Sequence, residues 1–172
     1  MTAKNPFDQV PLVARDEIDT PLGPMAALAT AKGLAALVFA SDRYHPGPFD
    51  VPRVPADPHV QAARRWLQRY WAGESPALDG LSLDLHGSLF QRAVWRVLLR
   101  IPQGSTWTYG QVAAAVGHGA VPRATGTAIG RNPVAVITPC HRVIGANGSL
   151  TGYAGGLPLK ERLLRHEGAL LV

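Results

Sequence analysis

The sequence has a single cysteine, Cys140, among 172 residues. One thiol cannot form an internal disulfide, and it cannot build a multi-cysteine zinc site. Long hydrophobic runs are also missing, since no apolar segment reaches the roughly 18 residues that a membrane-spanning helix needs. The first ten residues, MTAKNPFDQV, contain no apolar stretch like that of a secretory signal. These absences predict a protein of the reducing cytoplasm with no membrane partner.

Charged residues make up only 17% of the chain, and the acidic ones are unevenly placed. Residues 1–87 carry eight Lys and Arg against ten Asp and Glu, whereas residues 88–172 carry nine against two. No acidic residue occurs between Asp84 and Glu161. A basic half beside a mildly acidic half favours nucleic acid as the partner of the second half. The alternative is a solubilising surface whose skew in charge is incidental.

A small mixed α/β unit is predicted for the first half of the chain. Apolar residues lie in short segments between turn residues over 12–40, and leucines alternate over 81–85, which predicts strands in both places. Asp57 followed by Pro58 is typical of a helix N-terminus. The apolar spacing that follows predicts a helix through Trp71.

The second half is predicted to consist mainly of short helices. Ser88 with Gln91 and Thr108 with Gln111 form capping-box patterns, which mark two helix starts. The first of these helices is expected to run to Ile101. The second pairs with a third helix across a glycine-containing turn, as in a helix-turn-helix.

The third helix, expected over 123–129, has an unusual composition. Arg123 is its one long charged side chain, and small residues follow at positions 124–128. Such a face can approach a nucleic-acid backbone or minor groove closely. The same small residues also suit tight packing against another helix.

The chemistry concentrates in residues 134–144, VAVITPCHRVI. A lone cysteine is most often a small buried hydrophobe. Here His141 and Arg142 follow Cys140 directly, and both can favour the nucleophilic thiolate. Neighbouring side chains of a strand point apart, so His141 assists Cys140 only if the backbone turns, and Pro139 allows such a bend. A reactive Cys-His pair and a structural cysteine are both compatible with this spacing.

Residues 139–144, PCHRVI, resemble the active-site motif of the O6-alkylguanine-DNA alkyltransferases, also called methylated-DNA–protein-cysteine methyltransferases. The similarity covers essentially all of residues 88–172, while residues 1–87 match loosely. Its other motifs are TYGQVA at 108–113, Arg123 with Ala124 and Gly126, RNP at 131–133, GYAGGL at 152–157 and LLRHEG at 163–168.

The resemblance implies an α/β (α+β) protein of two domains. Residues 1–87 are expected to form an RNase H-like domain with a three-stranded sheet plus a helix. Residues 88–172 are expected to form a mostly helical winged-helix, or helix-turn-helix, domain that binds DNA and accepts the alkyl group.

The resemblance also implies direct DNA repair, in which an alkyl group passes from guanine O6 in duplex DNA to the sulfur of Cys140. Transfer is expected to be irreversible and to occur once per molecule, with O4-alkylthymine as a further candidate lesion. The expected partner is double-stranded DNA that contains O6-alkylguanine. The protein is expected to be a monomer, with contacts between molecules where they cluster on DNA.

Base flipping is expected because O6 inside a duplex cannot be reached by an in-line nucleophile. By resemblance, the helix that begins near Arg123 lies in the minor groove, and Arg123 fills the gap that the base leaves. Tyr109 is expected near the flipped nucleotide, and Ala124, Gly126 and Thr127 are expected to contact DNA. The alternatives are a simple phosphate contact for Arg123 and a core aromatic for Tyr109.

The resemblance assigns the catalytic roles as follows. Cys140 is the nucleophile, His141 takes its proton through a bound water, Glu167 holds the imidazole, Asn132 supports the turn, and Tyr109 offsets charge on the leaving guanine. The implied pocket residues are Tyr109, Cys140, Val143, Tyr153, Ala154, Gly155 and Ala135. In that pocket the carbonyls of Cys140 and Val143 read the exocyclic amine, and N–H groups near Tyr153 and Ala154 bind O6. The alternative for His141 and Glu167 is a buried structural pair.

Two pocket positions depart from the family pattern. Many relatives carry serine where this chain has Ala154, and some carry proline at Ala135. No cofactor motif occurs, and no metal site is expected, because the spacing of His45, His59, His86, His118 and His166 compels none.

Two other functions are also consistent with parts of the sequence. A non-enzymatic binder of alkylated bases would lack the motif cysteine, so Cys140 argues against it. A Cys-His hydrolase or acyltransferase for small molecules would leave the acid-free basic half unexplained.

Overall fold

The chain divides into two units, Met1–His86 and Gly87–Val172. This computed structural model describes residues 5–43, 45, 47, 49–117 and 119–170. Strands lead the first unit and short helices dominate the second. The fold is therefore of the mixed α/β class, as the sequence predicts.

A three-stranded antiparallel sheet opens the first unit. Its strands are β1 (Leu12–Ile18), β2 (Met25–Thr30) and β3 (Leu34–Phe39), in that spatial order. β3 is wholly buried and β2 almost so, whereas β1 alternates between buried and exposed residues. Helix α1 (Pro58–Trp71) packs on the sheet, and it begins where the Asp57 carboxylate accepts hydrogen bonds from two backbone N–H groups of the first turn.

Residues 81–85 do not form the further strand that their alternating leucines predict. The Leu34 N–H donates to Ser82 O at 2.8 Å, and the Asp84 N–H donates to Leu34 O at 2.9 Å. These bonds make an isolated parallel bridge between Leu34 and Leu83. An extended segment that buries one face has alternating apolar and polar residues even where no neighbouring strand pairs with it. The alternation alone therefore could not distinguish a single bridge from a full strand.

Three short helices pack together in the second unit: α2 (Leu89–Leu98), α3 (Tyr109–Val116) and α4 (Pro122–Gly130). Both predicted capping boxes are present, at the starts of α2 and α3. The indole Nε1 of Trp95 donates to Ala128 O at 2.9 Å, which fastens α2 to α4. α2 ends three residues before its predicted end, because the chain tightens into a turn after its last helical residue.

A two-stranded parallel ladder and a last helix complete the second unit. The ladder joins β4 (Trp107–Thr108) to β5 (Val143–Ile144), and α5 spans Leu157–His166. β4 leads directly into α3, and β5 directly follows Cys140–Arg142, so the ladder sets those residues beside the start of α3. In the ranges described above, no helix is both long enough and apolar enough to cross a membrane.

Candidate active site and nucleic-acid interface

Cys140 opens a single 3₁₀ turn that spans Cys140–Arg142. Residues 134–138 before it are buried, and apart from one isolated bridge at Val134 they lie in turns rather than in a strand. The Cys140 N–H donates to Thr138 O at 2.8 Å, and Cys140 O accepts a hydrogen bond from the Val143 N–H. The backbone therefore bends at the motif, which removes the obstacle that a straight strand would set between Cys140 and His141.

The side chain of Asn132 organises this bend. Its Nδ2 donates to Thr138 O at 2.7 Å and to Val134 O at 3.3 Å, and its Oδ1 accepts from the Val134 N–H at 3.0 Å. Between those contacts Val136 has a φ of 70°, a left-handed conformation that is costly for a β-branched residue. The buried Asn132 amide thus holds a strained turn directly before Cys140.

His141 and Glu167 form a buried pair between the 3₁₀ turn and the end of α5. His141 Nε2 lies 2.7 Å from Glu167 Oε1, and neither side chain is exposed. Burial by itself would raise the pKa of Glu167, but hydrogen bonds from His141 and Arg142 outweigh it and lower the pKa to about 2. Burial lowers the pKa of His141 below its ordinary value, against the attraction of Glu167.

The tautomer of His141 follows from these protonation states. An ionised carboxylate can only accept, so a neutral His141 carries its proton on Nε2 and donates it to Glu167. The other ring nitrogen, Nδ1, is buried and has no hydrogen-bond partner among the residues that the structure describes. Nδ1 therefore keeps its lone pair and can accept a proton.

Arg142 also binds the Glu167 carboxylate, and the sequence did not reveal this contact. Its Nε donates to Glu167 Oε2 and its Nη2 to Glu167 Oε1, both at 2.9 Å. Its Nη1 donates to Ile101 O at 2.7 Å. The guanidinium thus balances the carboxylate charge, and His141 can remain neutral beside it.

Lys160 is a second functional candidate that the sequence reading missed. It is fully buried on α5, and its Nζ donates to Val143 O at 2.5 Å and to Thr151 O at 3.0 Å. Burial lowers the pKa of Lys160 to about 8, and Cys140 acts in the opposite direction. A signal did exist, because Lys160 lies on the buried stripe of α5 with Leu163 and Leu164, and buried Glu167 directly follows the helix.

Tyr109 lies at the first position of α3, beside the loop that precedes α5. Its hydroxyl donates to Thr151 O at 2.9 Å. A Cβ placed on Gly126 would lie 3.5 Å from its ring, so α4 and the tyrosine are in close approach. Tyr109 therefore connects α4 with the loop at 151–155.

The remaining predicted pocket residues differ in how far they are buried. Ala135 and Val143 are buried, and residues 153–155 are half-buried. A Cβ on Gly155 would lie 2.7 Å from Leu159 Cδ2, so a larger residue there would require the Leu159 side chain to move. Val143 O already accepts from Lys160, which leaves one lone pair for another donor.

The predicted nucleic-acid contacts lie on α4. Arg123, Ala124 and Thr127 are exposed, whereas Thr125 and Ala128 are buried against the rest of the unit. One side of α4 therefore packs, as the packing alternative predicts, and the other side faces solvent, where contact with nucleic acid stays a prediction. Arg123 is the one long cationic side chain on that open face.

No three His, Cys, Asp or Glu side chains in the described ranges are grouped so that they could hold a metal ion. His118, one of the histidines considered above, lies outside those ranges.

Comparison with known proteins matches residues 89–169 to the family described as 6-O-methylguanine DNA methyltransferase, DNA binding domain. The methylated-DNA–protein-cysteine methyltransferase of Methanosarcina acetivorans is 42% identical over 153 residues, which are 88% of this chain and 96% of that protein. The Mycobacterium tuberculosis protein of the same name is 42% identical over 150 residues, 87% of this chain and 89% of that protein. The crystal structure of Mycobacterium tuberculosis OGT in complex with DNA aligns with a TM-score of 0.82 and 39% identity, covering 91% of this chain and 94% of that one.

Proposed function

The chain belongs to the methylated-DNA–protein-cysteine methyltransferase family, and from that premise we propose that it repairs alkylated duplex DNA by transferring the alkyl group to Cys140. The lesion proposed is O6-alkylguanine, with O4-alkylthymine as a further candidate. The observation that carries the proposal is the buried His141–Glu167 pair beside the chain's one thiol. A purely structural cysteine would need neither a fixed imidazole tautomer nor an ionised carboxylate behind it.

The proposed transfer begins with removal of the thiol proton. His141 Nδ1 accepts this proton through a bridging water, and the resulting imidazolium is stabilised by Glu167 through Nε2. The thiolate then attacks the alkyl carbon in line, so the sulfur–carbon bond forms as the carbon–O6 bond breaks. The electron pair of the broken bond stays on guanine, which takes up one proton in place of the alkyl group and leaves as the neutral base. His141 loses the proton that it took from the thiol and returns to its neutral form, so protons balance over the transfer. A thioether is the product, and thiols do not exchange such a bond as they do a disulfide.

Guanine is proposed to enter the pocket by flipping out of the duplex. Unstacking costs a few kcal/mol, and exposed Arg123 on α4 would offset part of that cost by filling the vacated position. The small exposed residues Ala124 and Thr127, with Gly126, would let α4 approach the minor groove. The basic charge of residues 88–172 supplies sequence-independent attraction to phosphates.

Recognition of the flipped base is proposed to rest on the backbone around the cysteine. The carbonyls of Cys140 and Val143 would accept from the exocyclic amine, and N–H groups near Tyr153 and Ala154 would donate to O6. Tyr109 would exchange its present bond to Thr151 O for the purine ring and thereby offset charge on the leaving group. Asn132 would keep the turn that presents the sulfur.

The division of labour between the units is also part of the proposal. Residues 88–172 would form the winged-helix domain that binds DNA and accepts the alkyl group. Residues 1–87 would form the RNase H-like domain. The protein would act as a cytoplasmic monomer, with contacts between molecules where several bind one duplex.

The test is the mass of the intact protein after exposure to duplex that contains O6-methylguanine. Repair predicts a gain of one methylene, which peptide mapping places on Cys140. Unmethylated duplex of the same sequence is the control and predicts no gain. Binding of the methylated duplex without any mass change would contradict the proposal and indicate a non-enzymatic binder.

A further inference from the structure

Three arginines form a row along one side of α2. Arg92, Arg96 and Arg100 recur every four residues, the spacing that puts side chains next to one another on a helix. Arg100 lies in the turn that continues the helix, where its N–H donates to Val97 O at 2.9 Å. Arg96 and Arg100 are exposed, and Arg92 is half-buried. We call these three residues the α2 arginine row.

The side chains of the α2 arginine row make no hydrogen bond or ion pair with any residue that the structure describes. By contrast, Arg142 and Arg165 in the same unit each bind a glutamate. Like charges four residues apart repel, and the dipole of a helix disfavours a cation near its N-terminus, where Arg92 lies. The row therefore weakens α2 in the free protein, and an anion bound from outside would relieve the repulsion.

The α2 arginine row borders the contact between α2 and α4. Trp95 lies between Arg92 and Arg96, and its indole Nε1 donates to Ala128 O on α4 at 2.9 Å. Arg92 is three residues before Trp95, so the two side chains are neighbours on the helix. The Nε of Arg92 is itself buried, so this side chain lies against the protein. The row thus begins beside the helix that carries the proposed DNA contacts.

The shape and charge of the row fit a phosphate backbone. At 1.5 Å per residue, the row extends for about 12 Å along the axis of α2. Phosphates of one DNA strand follow one another about every 3.4 Å along the duplex, so a row of this length can reach more than one of them. Arginine binds a phosphate through two parallel N–H donors. A repeated charge of one sign therefore meets a repeated charge of the other sign.

We propose that Arg92, Arg96 and Arg100 bind phosphates of the duplex beside the segment that α4 contacts. This inference rests on the proposed function, because it assumes the same duplex. None of the three residues is among the DNA contacts that the family resemblance implies. The row supplies affinity that does not depend on sequence, and it takes no part in recognising the lesion or in the chemistry at Cys140.

The test is the salt dependence of binding to unmethylated duplex, which avoids any alkyl transfer during the titration. Each phosphate contact contributes about −0.9 to the slope of log binding constant against log salt concentration. Replacing all three arginines, as Arg92→Gln, Arg96→Gln and Arg100→Gln together, should make the slope shallower by about 2–3. The double variant Arg96→Gln with Arg100→Gln leaves the half-buried Arg92 in place, and its slope should be shallower by about 2.

The matched control combines Lys32→Gln, Arg43→Gln and Arg65→Gln, which removes the same charge from exposed positions of the first unit. Its slope should stay at the native value. A native slope in both row variants would overturn the proposal and leave an acidic protein as the partner of the row. An equal change in the control would also overturn it, because net charge alone would then explain the effect.

Methylation of Cys140 by duplex that contains O6-methylguanine separates this proposal from the proposed function. Row variants that bind with the native slope and still become methylated would overturn only the role of the row. A native protein that binds the duplex yet never becomes methylated would overturn the repair function, whatever the slopes of the row variants.

Discussion

Glu167→Gln is expected to lower the free energy of unfolding by about 3–5 kcal/mol, because it leaves the Arg142 charge buried without a carboxylate. The lowered pKa of the Glu167 carboxyl supports the same size of loss. Lowering the pKa of Glu167 from 4.5 to about 2 corresponds to about 3 kcal/mol in favour of the charged form, at about 1.4 kcal/mol per pH unit. Three hydrogen bonds, from His141 Nε2, Arg142 Nε and Arg142 Nη2, are the physical source of that preference.

Urea unfolding at neutral pH measures this loss, and Glu161→Gln on the same helix is the control. Glu161 pairs with Arg165 at 2.7 Å, but both side chains are more than 40% exposed. Exposed pairs contribute at most about 1 kcal/mol, so the control should lose less than that. Equal losses of unfolding free energy in the two variants would refute the reasoning that the buried hydrogen bonds to Glu167 stabilise this unit.

The same carboxylate makes the difference between the variants depend on pH. Because its folded-state pKa, about 2, lies below its unfolded value near 4.5, Glu167 contributes its full stabilisation above that value. The contribution is lost as the pH falls from about 4.5 to about 2. The native protein should therefore lose its advantage over Glu167→Gln in acid, and a constant difference down to pH 2 would contradict the assignment.

Three further substitutions test other parts of the account. Arg123→Ala should slow repair of methylated duplex by about tenfold or more compared with Arg43→Ala, since unstacking costs a few kcal/mol and the side chain that fills the gap is gone; equal single-turnover rates would remove Arg123 from the mechanism. Asn132→Ala should lower the free energy of unfolding by about 2–3 kcal/mol in urea, because it leaves buried backbone groups unpaired, whereas Asn147→Ala in an exposed turn should cost far less. Cys140→Ser should bind methylated duplex with the native salt dependence yet accept no alkyl group, because serine is a much weaker nucleophile. Weaker binding in a gel-shift titration would instead mean that Cys140 contributes to DNA affinity.

Local patterns in the sequence predicted the local structure well. The capping boxes at Ser88 and Thr108 are both formed, because a capping box is complete within four residues and depends little on what packs against it. The short strands over 12–40 and the mixed α/β class are also confirmed, and the three-stranded sheet that they form was expected from the family resemblance. The alternation at 81–85 was misread, since burial of one face produces it without a ladder.

Contacts between residues far apart in the sequence could be predicted only in part. The resemblance assigned Glu167 to hold the His141 imidazole, so their pairing could be expected from it. Two other sets of contacts could not be predicted: the hydrogen bonds from Arg142 to Glu167 and those from Lys160 to backbone carbonyls. Both depend on how α5 packs against the 3₁₀ turn, which no local sequence pattern encodes. Lys160 on the buried stripe of α5 and Glu167 directly after that helix were the one hint, because charged side chains are buried only where partners exist.

The stoichiometry of repair tests the central claim most directly. A fixed amount of protein is mixed with a large excess of duplex that contains O6-methylguanine, and lesions removed are counted over time. The chain has no second cysteine to restore the thiol, so removal should stop at one lesion per protein molecule, with every Cys140 carrying a methyl group. Steady removal beyond one equivalent, or removal with Cys140 unmodified, would contradict the account.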